Sequence, residues 1–130
     1  MAEIVDKYCD IILVGDSVGM VLYGMKTTKE VTLETMIAHG KSVRLGTKRS
    51  LVVVDMPFNT YYNKYVAYKN ARKIITRTKC DAVKLEGGAN IASIVNYLVK
   101  KGIPVMGHVG LLPQYVSNYK IHGKNDIQRK

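Results

Sequence analysis

Four short apolar runs recur along the chain, at 11–14, 51–54, 81–85 and 103–106, and each closes on an ionisable residue. Runs this short, rich in β-branched and aliphatic residues and bounded by glycine or aspartate, read as strands buried on both faces of a parallel sheet. The segments between them carry helical spacing. Met36, Ile37, Gly40 and Val43 share one face of a helix over 33–45, with Thr32 as N-cap and Gly46 as its stop. Val66, Asn70, Ala71, Ile74, Ile75 and Thr78 form the stripe of a helix over 65–78. Ile91, Ile94, Val95, Leu98 and Val99 form a third stripe over 91–101, with Asn90 as N-cap and Gly102 just past the end. Residues 1–8 read as the last turns of a helix, and 18–29 as an apolar loop punctuated by glycine. After Gln114 the chain reads as a polar loop with Tyr115, Tyr119, His122 and Gly123, then as the start of a helix over 125–130.

Alternating strands and helices of these lengths imply a parallel sheet built by right-handed crossovers. A doubly wound sheet would carry a phosphate fingerprint of the G-x-G-x-x-G kind after its first strand, and G-D-S-V-G at 15–19 is not one. A βα barrel instead spreads its chemistry over several strand ends, which is the pattern here. The expected fold class is α/β, a partial (β/α)8 TIM barrel of about four βα units from the N-terminal half, in a single domain over 1–130. A whole barrel takes roughly 250 residues and the chain has 130, so the barrel's first strand and C-terminal half are expected to be missing.

Composition narrows the class further. Lysine and arginine number 20 against 10 acidic residues, a net charge of +10, which favours anionic ligands. The charges are dispersed. Lys64, Lys69, Arg72, Lys73 and Arg77 fall largely off the apolar stripe of their helix and read as a solvated face. No basic run resembles a nucleic-acid arm, so no nucleic-acid role is expected. No apolar stretch is long enough to span a membrane, and the acidic N-terminus is not a signal peptide. Cys9 and Cys80 each precede the aspartate that opens a strand, and neither belongs to a C-x-x-C pair. Two such cysteines suit a reduced, cytoplasmic setting.

The strand ends point Asp16, Asp55, Glu86 and His108 the same way, with Ser17 beside the first. Three carboxylates and a lysine at one mouth make a hard, oxygen-rich site of the kind that holds Mg²⁺ with water and substrate completing the octahedron. Lys84 and Glu86, two apart on one strand, share a face, and an inward lysine there could meet a substrate carboxylate. Each residue also has a plain structural reading. Asp16 or Asp55 alone could be a turn former or N-cap, Lys84 and Glu86 could be a structural ion pair, and His108 a structural histidine.

Several linked motifs then resemble one family. V-G-D-S-V-G-M at 14–20, V-T-L-E-T-M at 31–36, V-D-M-P-F at 54–58, D-A-V-K-L-E-G-G at 81–88 and G-I-P-V-M-G-H-V-G-L-L-P-Q at 102–114 closely resemble the ketopantoate hydroxymethyltransferases. The resemblance runs from about Asp10 to Gly123. It implies a βα barrel, a divalent metal such as Mg²⁺, 3-methyl-2-oxobutanoate as substrate and 5,10-methylenetetrahydrofolate as one-carbon donor. It further implies that Asp16, Asp55 and Glu86 hold the metal directly or through its shell, and that Asp16, Ser17, Asp55 and Lys84 meet the oxo acid, with His108 lining the site. The family's proton-accepting glutamate matches nothing in the chain, so no catalytic base is assigned. The alternatives are an inactive remnant or half of a split enzyme acting as a binding partner, and, more distantly, an enolate enzyme of the phosphoenolpyruvate mutase and isocitrate lyase type. A homo-oligomer or a complementing half-chain is the expected partner.

Overall fold

The computed structural model describes residues 1–115. The expected polar loop with Tyr119, His122 and Gly123, and the helix start over 125–130, lie outside the described residues. Helix α1 (Ala2–Val5) leads into β1 (Ile11–Val14), α2 (Val18–Val21), α3 (Leu33–Leu45), β2 (Leu51–Asp55), α4 (Lys64–Thr78), β3 (Ala82–Glu86), α5 (Ala92–Lys100) and β4 (Val105–His108). The strands form one parallel sheet in the order β1-β2-β3-β4. Neighbours in sequence are thus neighbours in space, with no reversal of direction, which is the order of a barrel arc and not of a doubly wound sheet.

Two faces of the sheet differ sharply. Val52, Val54, Val83 and Leu85 point to the helices and are wholly buried, joined there by Met36, Ile37, Ala67, Ala71, Ile74 and Leu98. On the opposite face Ile11, Leu13 and Leu51 are each about half exposed, at 45, 46 and 53 %. The expectation that the first strand is buried on both faces therefore fails for β1. Alternation along a strand sends Ile11 and Leu13 to the concave side, and the described residues supply no strand to cover it.

Helix α3 begins where expected, the Thr32 side chain accepting from Thr35 N–H. Asn63 caps α4 through Tyr65 and Val66 N–H. Gly40 lies where α3 crosses β2 and α4: a Cβ there would stand 2.9 Å from Thr78 Cγ2 and 3.1 Å from Val54 Cγ2. Lys73 and Arg77 reach Glu34 across the α3–α4 surface at 2.5 and 2.6 Å, so part of the basic helix face is paired with α3.

Other expectations need correction. The N-terminal helix is only four residues long. Residues 18–29 are not all loop, because α2 and a 3-10 turn over Thr28–Glu30 interrupt them. Asn90 does not cap α5; it sits inside a 3-10 turn (Ala89–Ile91), where its Oδ1 accepts from Gly88 N–H. Val99 leaves the apolar stripe and is exposed, since α5 ends one residue later. The fourth strand starts at Val105, not at residue 103: Pro104 has no N–H for the ladder, and its carbonyl alone pairs with Val83 N–H.

Candidate functional site

Asp16, Asp55, Glu86 and His108 do gather at the C-terminal ends of β1 to β4. They line one cavity of about 280 Å³ with Ser17, Thr28, Lys84, Leu13 and Pro113. Register explains the convergence. Asp55 pairs with Lys84 and Glu86 with His108, so four functional side chains occupy two rungs that are two residues apart and therefore share one face of the sheet.

Asp16 stands one residue beyond the glycine that ends β1, and its N–H donates to Asp55 Oδ2 at 3.0 Å. Gly15 permits this approach, since a Cβ there would lie 3.3 Å from Ser17 Oγ and 3.6 Å from Asp55 Oδ2. Ser17 opens α2 without capping it by its side chain, which leaves its hydroxyl free to serve the cavity. Asp55 Oδ1 lies 2.8 Å from Lys84 Nζ. That contact is one of charge alone, because Oδ1 has no aligned hydrogen-bond donor. The Lys84–Glu86 ion pair that stood as the structural alternative is not the one formed; Lys84 meets Asp55. Strand neighbours in register stand about 4.8 Å apart, whereas residues two apart on one strand are separated by about 6.6 Å.

Glu86 is engaged elsewhere. Its Oε2 accepts from Gln114 N–H at 3.0 Å, and Oε1 lies 3.4 Å from His108 Nδ1. Gln114 is a residue whose role sequence reasoning missed. Only 1 % exposed, it donates through Nε2 to Asp16 Oδ2 at 2.7 Å and to the Met56 carbonyl at 3.1 Å. Its Oε1 accepts from Tyr61 O–H at 2.5 Å. Two acceptors on one side and a hydroxyl on the other fix which way the amide faces. One neutral residue, through its side chain and its backbone N–H, thus ties the ends of β1, β2 and β3 to the loop after β4.

The electrostatics are those of a site short of positive charge. Burial, followed by the charges of Asp55 and Glu86, raises Asp16 to about 6, against the pull of Gln114 and Lys84. All three acids are less than 5 % exposed, and Lys84 is the one cation lining the cavity among the described residues. Asp16, Asp55 and Glu86 nevertheless do not form a ready-made cage. Among the described residues, no three His, Cys, Asp or Glu side chains lie close enough to hold one ion unaided. The orphaned Asp55 Oδ1 and the raised pKa of Asp16 fit a hard divalent cation that takes one or two protein carboxylates and completes its shell with water or ligand oxygen.

Comparison with known proteins gives a consistent result. The family model described as ketopantoate hydroxymethyltransferase matches residues 1–130. A 3-methyl-2-oxobutanoate hydroxymethyltransferase of Pelagibacter ubique is 57 % identical over 130 residues, covering all of this chain and 51 % of the relative. The protein of that name from Anaplasma marginale is 56 % identical over 133 residues, covering all of the chain and 48 % of the relative. One from Rhizobium etli is 59 % identical over 117 residues, with 89 % and 43 % covered. The chain therefore spans about half the length of the curated relatives it matches. Among the described residues, no helix is long and apolar enough to cross a membrane.

Proposed function

The chain belongs to the ketopantoate hydroxymethyltransferase family, and on that premise we propose that it forms the oxo-acid and metal site of such an enzyme. The reaction transfers a one-carbon unit from 5,10-methylenetetrahydrofolate to 3-methyl-2-oxobutanoate. It yields 2-dehydropantoate for pantothenate and coenzyme A synthesis. The observation that carries this reading is the single cavity in which three buried carboxylates face one lysine.

Asp16 and Asp55 are the direct ligands we assign to a divalent cation, with Glu86 acting through its shell. When bound, the cation supplies Lewis-acid polarisation of the 2-oxo acid and offsets the crowded negative charge. The chain's own residues do the rest. Lys84 offers an ammonium to the substrate carboxylate from a position 12 % exposed, where low local dielectric strengthens the pairing. Ser17, exposed at the rim beside Asp16, donates to a second substrate oxygen. Gln114 and Tyr61 keep Asp16 and Glu86 aimed into the cavity. Loss of the proton at C3 gives an enolate whose carbon bonds to the folate-borne methylene carbon. Both bonds of that carbon to the folate nitrogens break, one water supplies the hydroxyl oxygen, and tetrahydrofolate leaves with the protons on its nitrogens. We assign that proton transfer to a carboxylate from a later strand end, since every acid in the present cavity already has a structural or ligand role.

The half-exposed concave face of Ile11, Leu13 and Leu51 fits cover by further barrel strands, from the same chain or a complementing one, with a homo-oligomer as the assembled form. The free Cys9 and Cys80 suit a cytoplasmic location. Calorimetric titration with Mg²⁺ and 3-methyl-2-oxobutanoate tests the site. The two ligands should bind with positive coupling, Asp55→Ala should abolish that coupling, and Lys84→Ala should weaken the oxo acid more than the metal. Equal affinities in wild type and both variants would overturn the assignment.

A further inference from the structure

Three buried side-chain polar atoms lack an aligned hydrogen bond among the described residues: Asp55 Oδ1, His108 Nδ1 and Thr28 Oγ1. All three belong to residues lining the same cavity. A buried polar atom left unpaired costs roughly 1–3 kcal/mol, so orphans gathered at one cavity point to a ligand that satisfies them there. Asp55 and His108 already have charged neighbours at 2.8 and 3.4 Å. Thr28 has none among the described residues, and it reaches the cavity from outside the strand ends, on the 3-10 turn between α2 and α3.

The turn does not need the Thr28 hydroxyl. Thr27 and Glu30 build the capping box that holds it, the Thr27 hydroxyl accepting from Lys29 N–H and Glu30 Oε1 from Lys26 and Thr27 N–H. The turn is also wedged against α2. A Cβ at Gly19 would lie 2.5 Å from Val31 Cγ2 and 2.9 Å from Met25 Sδ. Thr28 is thus placed rigidly, 2 % exposed, with a hydroxyl that bonds to nothing among the described residues.

We propose that Thr28 is a further substrate-binding residue, its Oγ1–H donating to an anionic oxygen of a small 2-oxo acid. The balance of donors and acceptors selects this ligand. Asp16, Asp55 and Glu86 can only accept when ionised, and Lys84 is the sole charged donor in the described lining. A carboxylate entering this cavity needs more donors than Lys84 provides, and a threonine hydroxyl supplies one without adding charge. A volume of about 280 Å³ suits a short-chain acid; ligand pockets for larger molecules run to about 1,000 Å³. The inference rests on the oxo-acid reading of the site and adds to it a contact from outside the strand ends.

Replacement of Thr28 by valine keeps the branched shape and removes the hydroxyl, and Thr28→Ser keeps the hydroxyl and removes the methyl. The 130-residue chain with Mg²⁺ is titrated with 3-methyl-2-oxobutanoate by calorimetry, and its ligand-free thermal unfolding is recorded. Thr28→Val should weaken the oxo acid about tenfold or more, leave Mg²⁺ affinity unchanged and unfold no earlier than wild type, while Thr28→Ser should bind within about threefold of wild type. Thr28→Val binding the oxo acid as tightly as wild type would overturn this inference alone. Absence of oxo-acid binding by the wild type itself would overturn the reading of the whole site, and this contact with it.

Discussion

Asp55 and Lys84 stand opposite each other in register on β2 and β3, with Oδ1 2.8 Å from Nζ. The other oxygen of Asp55 accepts from Asp16 N–H, so one carboxylate joins a backbone turn, a cation and the cavity. Lys84 is the only positive charge there to offset Asp16, Asp55 and Glu86 among the described residues.

Removal of the lysine therefore leaves uncompensated buried acids. Lys84→Met should destabilise the fold by roughly 3 kcal/mol at pH 8, and by less at pH 5, where Asp16 takes up a proton. The double variant Asp55→Asn with Lys84→Met should recover most of the loss, because it removes one charge of each sign. Urea unfolding of wild type and both variants at the two pH values checks this. A double variant no more stable than Lys84→Met would show that packing of the lysine stem, not charge, is what matters.

Asp16 gives the opposite pH signature from an ordinary surface acid. Its folded value of about 6 lies above the 3.8 of an unperturbed aspartate, so the folded state holds the proton more tightly than the unfolded state does. Its favourable contribution is complete below about pH 4 and is lost as pH rises toward 6. Asp16→Asn, which cannot ionise, should be more stable than wild type by on the order of 2–3 kcal/mol at pH 7, with the difference shrinking toward zero near pH 4. A constant difference across that range would place the effect outside ionisation.

Much of this was readable from the sequence. The boundaries of β1, α3 and the bulk of α4 follow from apolar period and capping residues, since Thr32 and the stripe of Ala71, Ile74 and Thr78 are local signals. Helix α2 and the turn at Thr28 were not. They are four and three residues long, the first interrupted by glycine, and held by the close packing of Gly19 on Met25 and Val31. The acids and Lys84 announced themselves as charges at apolar strand ends. The contact of Lys84 with Asp55 was not foreseen, because spacing along one strand is visible in a sequence, and register between strands is not. Gln114 gave no charge to notice and meets Asp16 across 98 residues of chain; its place in the G-L-L-P-Q motif was the available signal.

Asp6 pins the N-terminus by ordinary means. Buried at 7 % exposure, its carboxylate accepts from the backbone N–H of Lys48, Arg49 and Ser50 at 2.9, 3.1 and 2.7 Å. Those donors, Ser50 foremost, hold it well below the usual carboxylate range. The stability it contributes is present above about pH 4 and is lost as pH falls further, toward its folded value. Asp6→Asn should melt at a lower temperature than wild type at pH 7, and the gap should narrow as pH drops from about 4 to about 2. Parallel melting curves down to that pH would argue that the amide replaces the carboxylate fully.

Gln114 can be tested through the one property that separates an amide from a carboxyl group. Its Nε2 serves two acceptors, Asp16 Oδ2 and the Met56 carbonyl, while Oε1 accepts from Tyr61. Gln114→Ala removes all three bonds and should cost on the order of 3 kcal/mol, because the partners it strands are buried. Gln114→Glu keeps the shape but at pH 8 sets a fourth carboxylate against Asp16, with no donor for either acceptor. It should then be the less stable of the two variants. At pH 5 the glutamate and Asp16 together hold protons, one O–H returns between them, and Gln114→Glu should become the more stable. Urea unfolding at the two pH values reads this inversion directly. The same ranking at both would mean that volume at position 114, and not the direction of its hydrogen bonds, holds the strand ends together.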